Sequence, residues 1–198
     1  MNVRSVSVSA IALALATAGL ASAQTADYSP MTRSEQVREY LKDSFGLDPF
    51  GHAAAAAEFD QLTNTPSEWD DGAPGYGARL ANAFAHNVVR QTLKFGVSSL
   101  LHEDTRYIRS GRHGFWPRTK YALLSAIFAR RPNGRRTFSF AGVGSAGGAA
   151  AIARVWLPRS IAGAGSAGAS FGITLAGDAG SNMLREFWPD LKRHFGRD

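Results

Sequence analysis

Apolar and polar positions follow a helical period through the middle of the chain. Between residues 76 and 101, apolar side chains recur every three to five positions, which predicts a long amphipathic helix. Before it, Thr32 or Ser34 is placed to cap a helix that stops at Gly46, and an alanine-rich helix is predicted over 50–62. A shorter helix is predicted over 118–129, with a basic turn over 130–136. No turn dipeptide separates two alternating apolar runs, so the pattern predicts an all-α domain without a β-hairpin.

Two segments near the C-terminus, 137–156 and 160–191, are rich in small residues. In each segment, small residues recur at every fourth position and therefore share one helix face. The first small row is Ala141, Ser145, Ala149 and Ala153, with Gly144 and Gly148 beside it. The second small row is Ala164, Gly168, Gly172, Ala176 and Gly180.

Glycine in a helix lowers stability by about 1 kcal/mol relative to alanine. The glycines of these rows are therefore expected to make a close contact that compensates for this loss. Faces without side chains let helix backbones approach closely. We therefore predict a compact helical domain with a C-terminal glycine-zipper hairpin over 137–191, turning at 157–159, in which Pro189 ends or bends the second helix. A homo-oligomer formed through the same helices is also expected. The helix-packing residues would be Gly144, Gly148, Ala164, Gly168, Gly172, Ala176 and Gly180.

The same glycines fit the G-x-G-x-x-G pattern of a dinucleotide-binding turn, once from Gly142 and once from Gly163. Such a turn also needs a preceding strand and an acidic residue about 20 positions further on. No Asp or Glu lies between residues 105 and 177, and the second copy leaves too little chain before it for a strand. Helix packing explains the glycines better, so no cofactor is predicted.

The first 23 residues have the pattern of a secretory signal peptide. Arg4 precedes an apolar run over 11–20, and Ala21, Ser22 and Ala23 form a cleavage signal of small residues. Residues 24–198 are then expected to form a single helical domain, with a flexible leader and the first helix over 24–49. The chain has no cysteine, which excludes a disulfide framework and thiolate metal sites. We expect export to the periplasm or to a membrane of the cell envelope.

Charge is distributed unevenly along the chain, whose formal net charge is +6. Residues 105–177 contain eleven Lys and Arg and no Asp or Glu. Such a segment attracts an anionic surface or pairs with the acidic N-terminal half of its own chain, and both alternatives stay open. Export argues against nucleic acid, so a membrane surface or bilayer is the expected partner. The candidate residues for an anionic surface are Arg130, Arg131, Arg135 and Arg136.

The uncharged stretches of the two glycine-rich segments are about 17 and about 18 residues long, near the lower limit for crossing a bilayer. The sequence therefore leaves a membrane-inserted hairpin and a tightly packed soluble hairpin equally open. Trp156 and Trp188 lie near the ends of these segments and are candidates for anchors at a membrane interface.

His102, Glu103 and Asp104 form the polar cluster that most resembles a catalytic site. Imidazole and carboxylate groups suffice for acid–base chemistry, but neighbouring residues on a helix diverge by about 100°. In the alternative interpretation, the two carboxylates pair locally with Arg106 and Arg109 and close the helix. The other histidines have no metal-binding spacing, so no metal is predicted. A second polar set at helical spacing, directed either to the basic segment or to solvent, is Asp178, Asn182 and Glu186.

Four segments of the chain resemble a family of exported proteins of unknown function from Gram-negative bacteria. They are WDDG with YGAR (69–72 and 76–79), LHEDTRYIRSG (101–111), RRPNGRRTFSF (130–140) and REFWPD (185–190). The resemblance covers about residues 50 to 195, most of the mature chain. It implies export and a helical build, and it implies no catalytic residue or cofactor.

These observations predict an exported cell-envelope protein with a structural or interaction role, associated with a membrane through its glycine-rich hairpin and basic segment. Enzymatic activity is not expected under this interpretation. The alternative is a soluble periplasmic enzyme or small-molecule binder. Its site would consist of His102, Glu103, Asp104, Arg106, Tyr107 and Arg109.

Overall fold

The computed structural model describes residues 28–195 and consists almost entirely of helices, which confirms the all-α prediction. The expected signal peptide at 1–23 and the start of the leader lie outside the described residues. The long helix α3 contacts α1, α2 and α5, whereas α6 contacts mainly α4 and α5. In chain order the elements are α1 (Arg33–Phe45), α2 (Leu47–Leu62), α3 (Ala73–Leu101), α4 (Phe115–Leu124), β1 (Phe128–Arg130), β2 (Arg136–Phe138), α5 (Phe140–Ala153) and α6 (Ala164–Phe195).

The first helices begin and pack largely as predicted. Thr32 caps α1 in a capping box, because its hydroxyl accepts the Glu35 N–H at 3.3 Å and the Glu35 carboxylate accepts the Thr32 N–H at 2.7 Å. Helix α2 begins at Leu47, three residues earlier than predicted, because a proline in the first turn removes no hydrogen bond that the helix needs. Ala53 and Ala57 are its buried residues, in line with the smooth face expected for the alanine run.

Arg79 on α3 is completely buried and fixes the loop between α2 and α3. Its guanidinium donates to the carbonyl oxygens of Thr65 at 2.9 Å and Trp69 at 3.1 Å, and to the Gln61 side chain at 2.8 Å. Gly75 is required beside it, since a Cβ there would lie 1.5 Å from the Asp70 carbonyl oxygen. The WDDG segment therefore lies in a loop that is anchored by one buried cation, Arg79 of the YGAR segment in the first turns of α3.

A short β-hairpin replaces the end of the helix predicted over 118–129. Helix α4 ends at Leu124, and β1 pairs with β2 in antiparallel register, with Ala129 opposite Thr137. Gly134 supplies the turn with a φ of 77°, and the Asn133 side chain accepts the Arg135 N–H at 3.0 Å. The prediction of no hairpin was therefore wrong. Each strand has only three residues, too few to show an alternating pattern.

The first small row is buried. Ser139 caps α5 through the Gly142 N–H at 2.9 Å. Ala141, Ser145 and Ala149 are fully buried, and α5 packs most extensively against α3. A Cβ at Gly148 would lie 2.9 Å from Leu93 Cδ1 of α3. Close packing through this face is therefore formed, and its main partner is α3.

The second small row is exposed. All five of its residues lie on the open side of α6, and a Cβ added at Gly168, Gly172 or Gly180 would meet no neighbour within 4 Å. Helices α5 and α6 touch elsewhere, where a Cβ at Gly147 would lie 3.8 Å from the Phe171 ring. Within the described part of one chain, the two small rows therefore do not interlock.

Helix α6 continues past Pro189 to Phe195, whereas the sequence predicted an end or a bend there. Proline at this position removes the hydrogen bond to the Arg185 carbonyl. Arg118 donates to the adjacent carbonyl of Glu186 at 2.7 Å and so supports this part of the helix from outside. Among residues 28–195, no helix is both long and apolar enough to cross a membrane.

Candidate functional site

A buried carboxylate connects two of the segments that carry the predicted family resemblance, 101–111 and 185–190, with helix α4. Glu186 of α6 is 1% exposed. Its carboxylate accepts the Tyr107 hydroxyl at 2.6 Å, the Ser110 N–H at 3.0 Å and the Arg118 Nε–H at 3.1 Å, and it also accepts the Ser110 hydroxyl. We call Tyr107, Ser110, Arg118 and Glu186 the Glu186 cluster. It joins the loop after α3, helix α4 and the C-terminal half of α6.

The Glu186 cluster is built to hold a negative charge. Burial alone would raise the pKa of Glu186, but the hydrogen bonds from Ser110 and Tyr107, followed by Arg118, lower it to about 2. Burial and the bond to this carboxylate raise the pKa of Tyr107. Glu186 is therefore ionised across the physiological pH range. With four donors on its two oxygens, it acts as a structural anion and not as a proton carrier.

The polar face of α6 continues on both sides of Glu186 and points into the fold. Asp178 forms an ion pair with Arg90 of α3, and the Asn182 side chain donates to the Ala122 carbonyl at 3.3 Å. Arg118 reaches both Glu186 and Asp190, the latter at 2.6 Å. Asn182 and Glu186 therefore face the basic segment, as in one of the two alternatives, whereas Asp178 pairs with Arg90, which lies outside 105–177.

Tyr121 of α4 contacts two of the arginines that were predicted to bind an anionic surface. Its ring is buried, with the Arg136 guanidinium 4.5 Å from the ring centroid and the Arg130 Nη2 donating to its hydroxyl at 3.0 Å. Burial lowers the pKa of Arg136. Of the four arginines proposed for an anionic surface, Arg130 and Arg136 therefore point inward. Arg131 and Arg135 are exposed at the tip of the hairpin.

His102, Glu103 and Asp104 do not converge. His102 ends α3 in a left-handed conformation, with φ 54°, and its side chain is exposed. Glu103 is buried and caps α5, where its carboxylate accepts the Ala141 N–H at 2.9 Å. Asp104 accepts the Arg106 Nη2–H at 2.8 Å, which agrees with the expected local pairing. The three side chains thus point in different directions, His102 to solvent, Glu103 to α5 and Asp104 to Arg106.

No metal site replaces the expected catalytic one. Across residues 28–195, no group of three or more metal-ligating side chains is close enough to hold an ion. Of the other residues proposed for that site, Tyr107 belongs to the Glu186 cluster and Arg109 is exposed. The side chains of 102–109 therefore do not converge on one site, and several of them make contacts that stabilise the fold.

Exposed aromatic residues gather where α4 begins and α6 ends. Phe115 packs against Trp116 at 5.4 Å and against Phe187 at 5.3 Å between ring centroids, and Trp116 is 77% exposed. Trp188, the next residue on α6, is 53% exposed. We call Phe115, Trp116, Phe187 and Trp188 the aromatic end. The sequence identified Trp188 as a candidate anchor but did not identify Phe115 and Trp116. These two residues lie at the start of α4, where the apolar positions show no helical period.

Basic residues lie beside Trp188 at the aromatic end. Arg109 and Arg185 line a shallow apolar groove together with Trp188. The Lys192 ammonium lies 5.6 Å from the centroid of the Trp188 ring. Asp190 is the acidic residue nearby in sequence, and it is paired with Arg118 and Arg193. Trp156, the other predicted anchor, instead donates its indole N–H to Asn82 at 2.9 Å.

A large open cleft separates α2 and α3 from α6. Its volume is about 1250 Å³. His86, Arg90 and Lys94 of α3 line one wall, and Asp178 of α6 lies opposite. Local patterns in the sequence did not indicate this site, because its residues lie on the polar face of a helix whose spacing is explained by its apolar face alone.

Comparisons with known proteins add no further assignment. The chain matches no family model, and no curated protein or solved structure is significantly similar to it. The resemblance to exported proteins of unknown function therefore stays a prediction.

Proposed function

We propose that the protein is exported to the cell envelope, where it has a structural or interaction role and is attached to the surface of a membrane. The aromatic end is the observation that carries this proposal. Three large rings, those of Phe115, Trp116 and Trp188, are each more than half exposed, and Trp188 lies close to basic side chains. Exposed tryptophan among cations is typical of proteins that bind at the boundary between lipid headgroups and acyl chains.

The charges around the aromatic end support an anionic membrane as the partner. Arg109, Arg185 and Lys192 lie at its edge, and each basic residue near an anionic surface contributes about 1 kcal/mol to binding. Residues 105–177 add exposed cations, including Arg131 and Arg135, without a single carboxylate. Attachment at the surface needs no spanning helix, and no helix within residues 28–195 is long and apolar enough to cross a membrane.

The second small row supplies a further contact face, and we propose that a second copy of the chain covers it. Three of its five residues are glycines, each costing about 1 kcal/mol in a helix unless a close contact compensates. No such contact exists within residues 28–195 of one chain. Small-residue faces of this type pair closely with one another, so self-association through α6 would provide the compensation.

Fractionation of cells tests the attachment. The protein, expressed with its own N-terminal segment, is expected to sediment with the envelope and to be released by high salt or alkaline carbonate. Replacing Trp116 and Trp188 together by alanine should move it to the soluble fraction. Phe50→Ala is the matched control, because Phe50 is an equally exposed aromatic residue on α2.

Two results would count against the proposal. Wild-type protein that is soluble before any extraction, with its fold intact, would contradict membrane attachment. Protein that resists carbonate would instead indicate insertion into the bilayer, and would contradict attachment at the surface.

A further inference from the structure

The cleft between α2, α3 and α6 carries a row of nitrogen donors. His86, Arg90 and Lys94 follow one another at four-residue intervals on α3 and so share one helix face. All three line the cleft, and Arg185 of α6 lines it from the other side. The carboxylates that line the cleft are Asp43, Asp48, Asp60 and Asp178. Five Lys and Arg side chains and two His side chains also line it, so the cleft contains more nitrogen donors than carboxylates.

Several of these donors have no acceptor. The Nε2 of His86 and the Nε of Arg90 are buried and make no hydrogen bond, although another nitrogen of Arg90 holds Asp178. Lys94 forms no ion pair within residues 28–195. Burial, followed by the charge of Arg90, lowers the pKa of Lys94 and of His86. Buried donors without acceptors are rare in folded proteins and indicate a group that binds there.

Apolar patches also line the cleft, among polar side chains such as Asn87, Ser170 and Thr174. These patches are formed by short and branched aliphatic side chains from α2, α3, α5, α6 and the turn before α6. The volume of about 1250 Å³ is larger than that of most small-molecule pockets. Apolar walls beside a few converging polar groups are typical of a ligand site. The apolar lining includes Ala53, Ala83, Ala150, Leu157 and Ile173.

We propose that the cleft binds an amphipathic anion, a carboxylate or phosphate group joined to an apolar chain. The oxyanion accepts hydrogen bonds from Lys94, Arg90 and His86, and the chain lies along the aliphatic wall. This proposal goes beyond membrane attachment and is independent of it, because none of its residues belongs to the aromatic end. Either a free fatty acid or a single-chain phospholipid supplies the same chemistry.

Calorimetric titration with defined probes tests the proposal on protein purified without detergent. Decanoate, below its micelle concentration, is expected to bind saturably and to raise the Tm of the wild-type protein. Decanol retains the chain without the charge, and acetate retains the charge without the chain. Decanol should bind at least about tenfold more weakly than decanoate, the ratio that one lost charge-assisted hydrogen bond produces. Acetate should also bind at least about tenfold more weakly, because it lacks the apolar chain that decanoate buries against the aliphatic side chains. Decyl phosphate, compared with decanoate, separates a phosphate headgroup from a carboxylate.

Lys94→Gln is the decisive variant, because Lys94 has no ion-pair partner in the described chain whose loss would disturb the fold. It should weaken decanoate binding about tenfold or more. Lys120→Gln removes an exposed lysine from α4, outside the cleft, and should leave the affinity unchanged. If Lys94→Gln unfolds the protein, Lys94→Arg should fold and retain binding. The proposal is overturned if decanol binds as tightly as decanoate, if Lys94→Gln binds normally, or if folded wild-type protein binds no decanoate.

Discussion

Helices α5 and α6 carry the same spacing of small residues, yet the fold uses the two rows in opposite ways. In α5, Ala141, Ser145 and Ala149 are fully buried, and the helix lies close to α3. In α6, the corresponding row from Ala164 to Gly180 faces away from the rest of the chain. The spacing thus predicts a flat helix face, but it does not predict what covers that face.

Polar contacts fix α6 where α5 relies on close packing. Asp178 pairs with α3, Asn182 bonds to α4, and Glu186 binds the loop after α3 together with Arg118 of α4. Because this polar face is opposed by buried partners, the small row on the other side of α6 stays open. Two claims can therefore be tested. The packing of α5 depends on small side chains, and the position of α6 depends on charged groups.

The largest effect is expected from Glu186→Ala. This change removes the acceptor for Tyr107 and Ser110 and leaves Arg118 with Asp190 as its remaining acidic partner. Each buried donor left without an acceptor costs about 1 to 3 kcal/mol in the free energy of unfolding. Urea unfolding followed by circular dichroism measures it. Glu58→Ala, at an exposed position of α2, should change stability by less than about 0.5 kcal/mol.

A pH titration should isolate the charge of Glu186. Its pKa is lowered in the fold from the ordinary 4.5 to about 2. The stability from this group is therefore complete above about pH 4.5, and it is lost as the pH falls from there through about 2. The difference in unfolding free energy between wild type and Glu186→Gln should shrink over that window. A constant difference would show that the charge of Glu186 does not stabilise the fold.

Ala149→Leu tests the claim about α5. Added methylene groups in a tightly packed site typically cost about 1 to 3 kcal/mol, and Ala149 is completely buried. Ala176→Leu makes the same change in the exposed row of α6 and should alter the free energy of unfolding of the isolated chain very little. Equal destabilisation by both changes would erase the distinction between the two rows.

Gly172→Leu should have the smallest effect on folding and a clear effect on assembly. A Cβ at Gly172 meets no neighbour within 4 Å, so the isolated chain tolerates a larger residue there. If a second copy packs on this row, the added side chain should weaken self-association about tenfold or more, as measured by sedimentation equilibrium. Gly51→Leu on α2, also at an exposed glycine with open space, is the matched control. Unchanged association of Gly172→Leu would exclude this face as the interface.

Local signals in the sequence predict most of the helices but few of the contacts between them. The cap at Thr32 and the apolar spacing of α3 depend on near neighbours, and both are confirmed. The partners of Glu186 lie 68 to 79 positions away, so no local spacing identifies them. The β-hairpin escaped prediction for a related reason, since β1 is also held by a bridge from Arg130 to Asp104 in the loop after α3.

The site was predicted less well than the fold because exposure depends on tertiary packing. His102, Glu103 and Asp104 are adjacent in sequence, but the end of α3 directs them to solvent, to α5 and to Arg106. The aromatic end is formed by residues about 70 positions apart, which meet only because α4 packs against α6. A pattern along the chain indicates neither which polar groups find partners nor which rings remain exposed.

Binding to lipid vesicles tests the central claim, attachment to an anionic membrane through the aromatic end, most directly. Co-sedimentation of the purified protein with phosphatidylglycerol vesicles and with phosphatidylcholine vesicles compares an anionic surface with a zwitterionic one. We predict tight binding to the anionic vesicles, weaker binding to the zwitterionic ones, and a loss of about tenfold or more when Trp116 and Trp188 are both replaced by alanine. Wild-type protein that is folded and remains in the supernatant with anionic vesicles, or a double variant that binds them as tightly as wild type, would contradict the account.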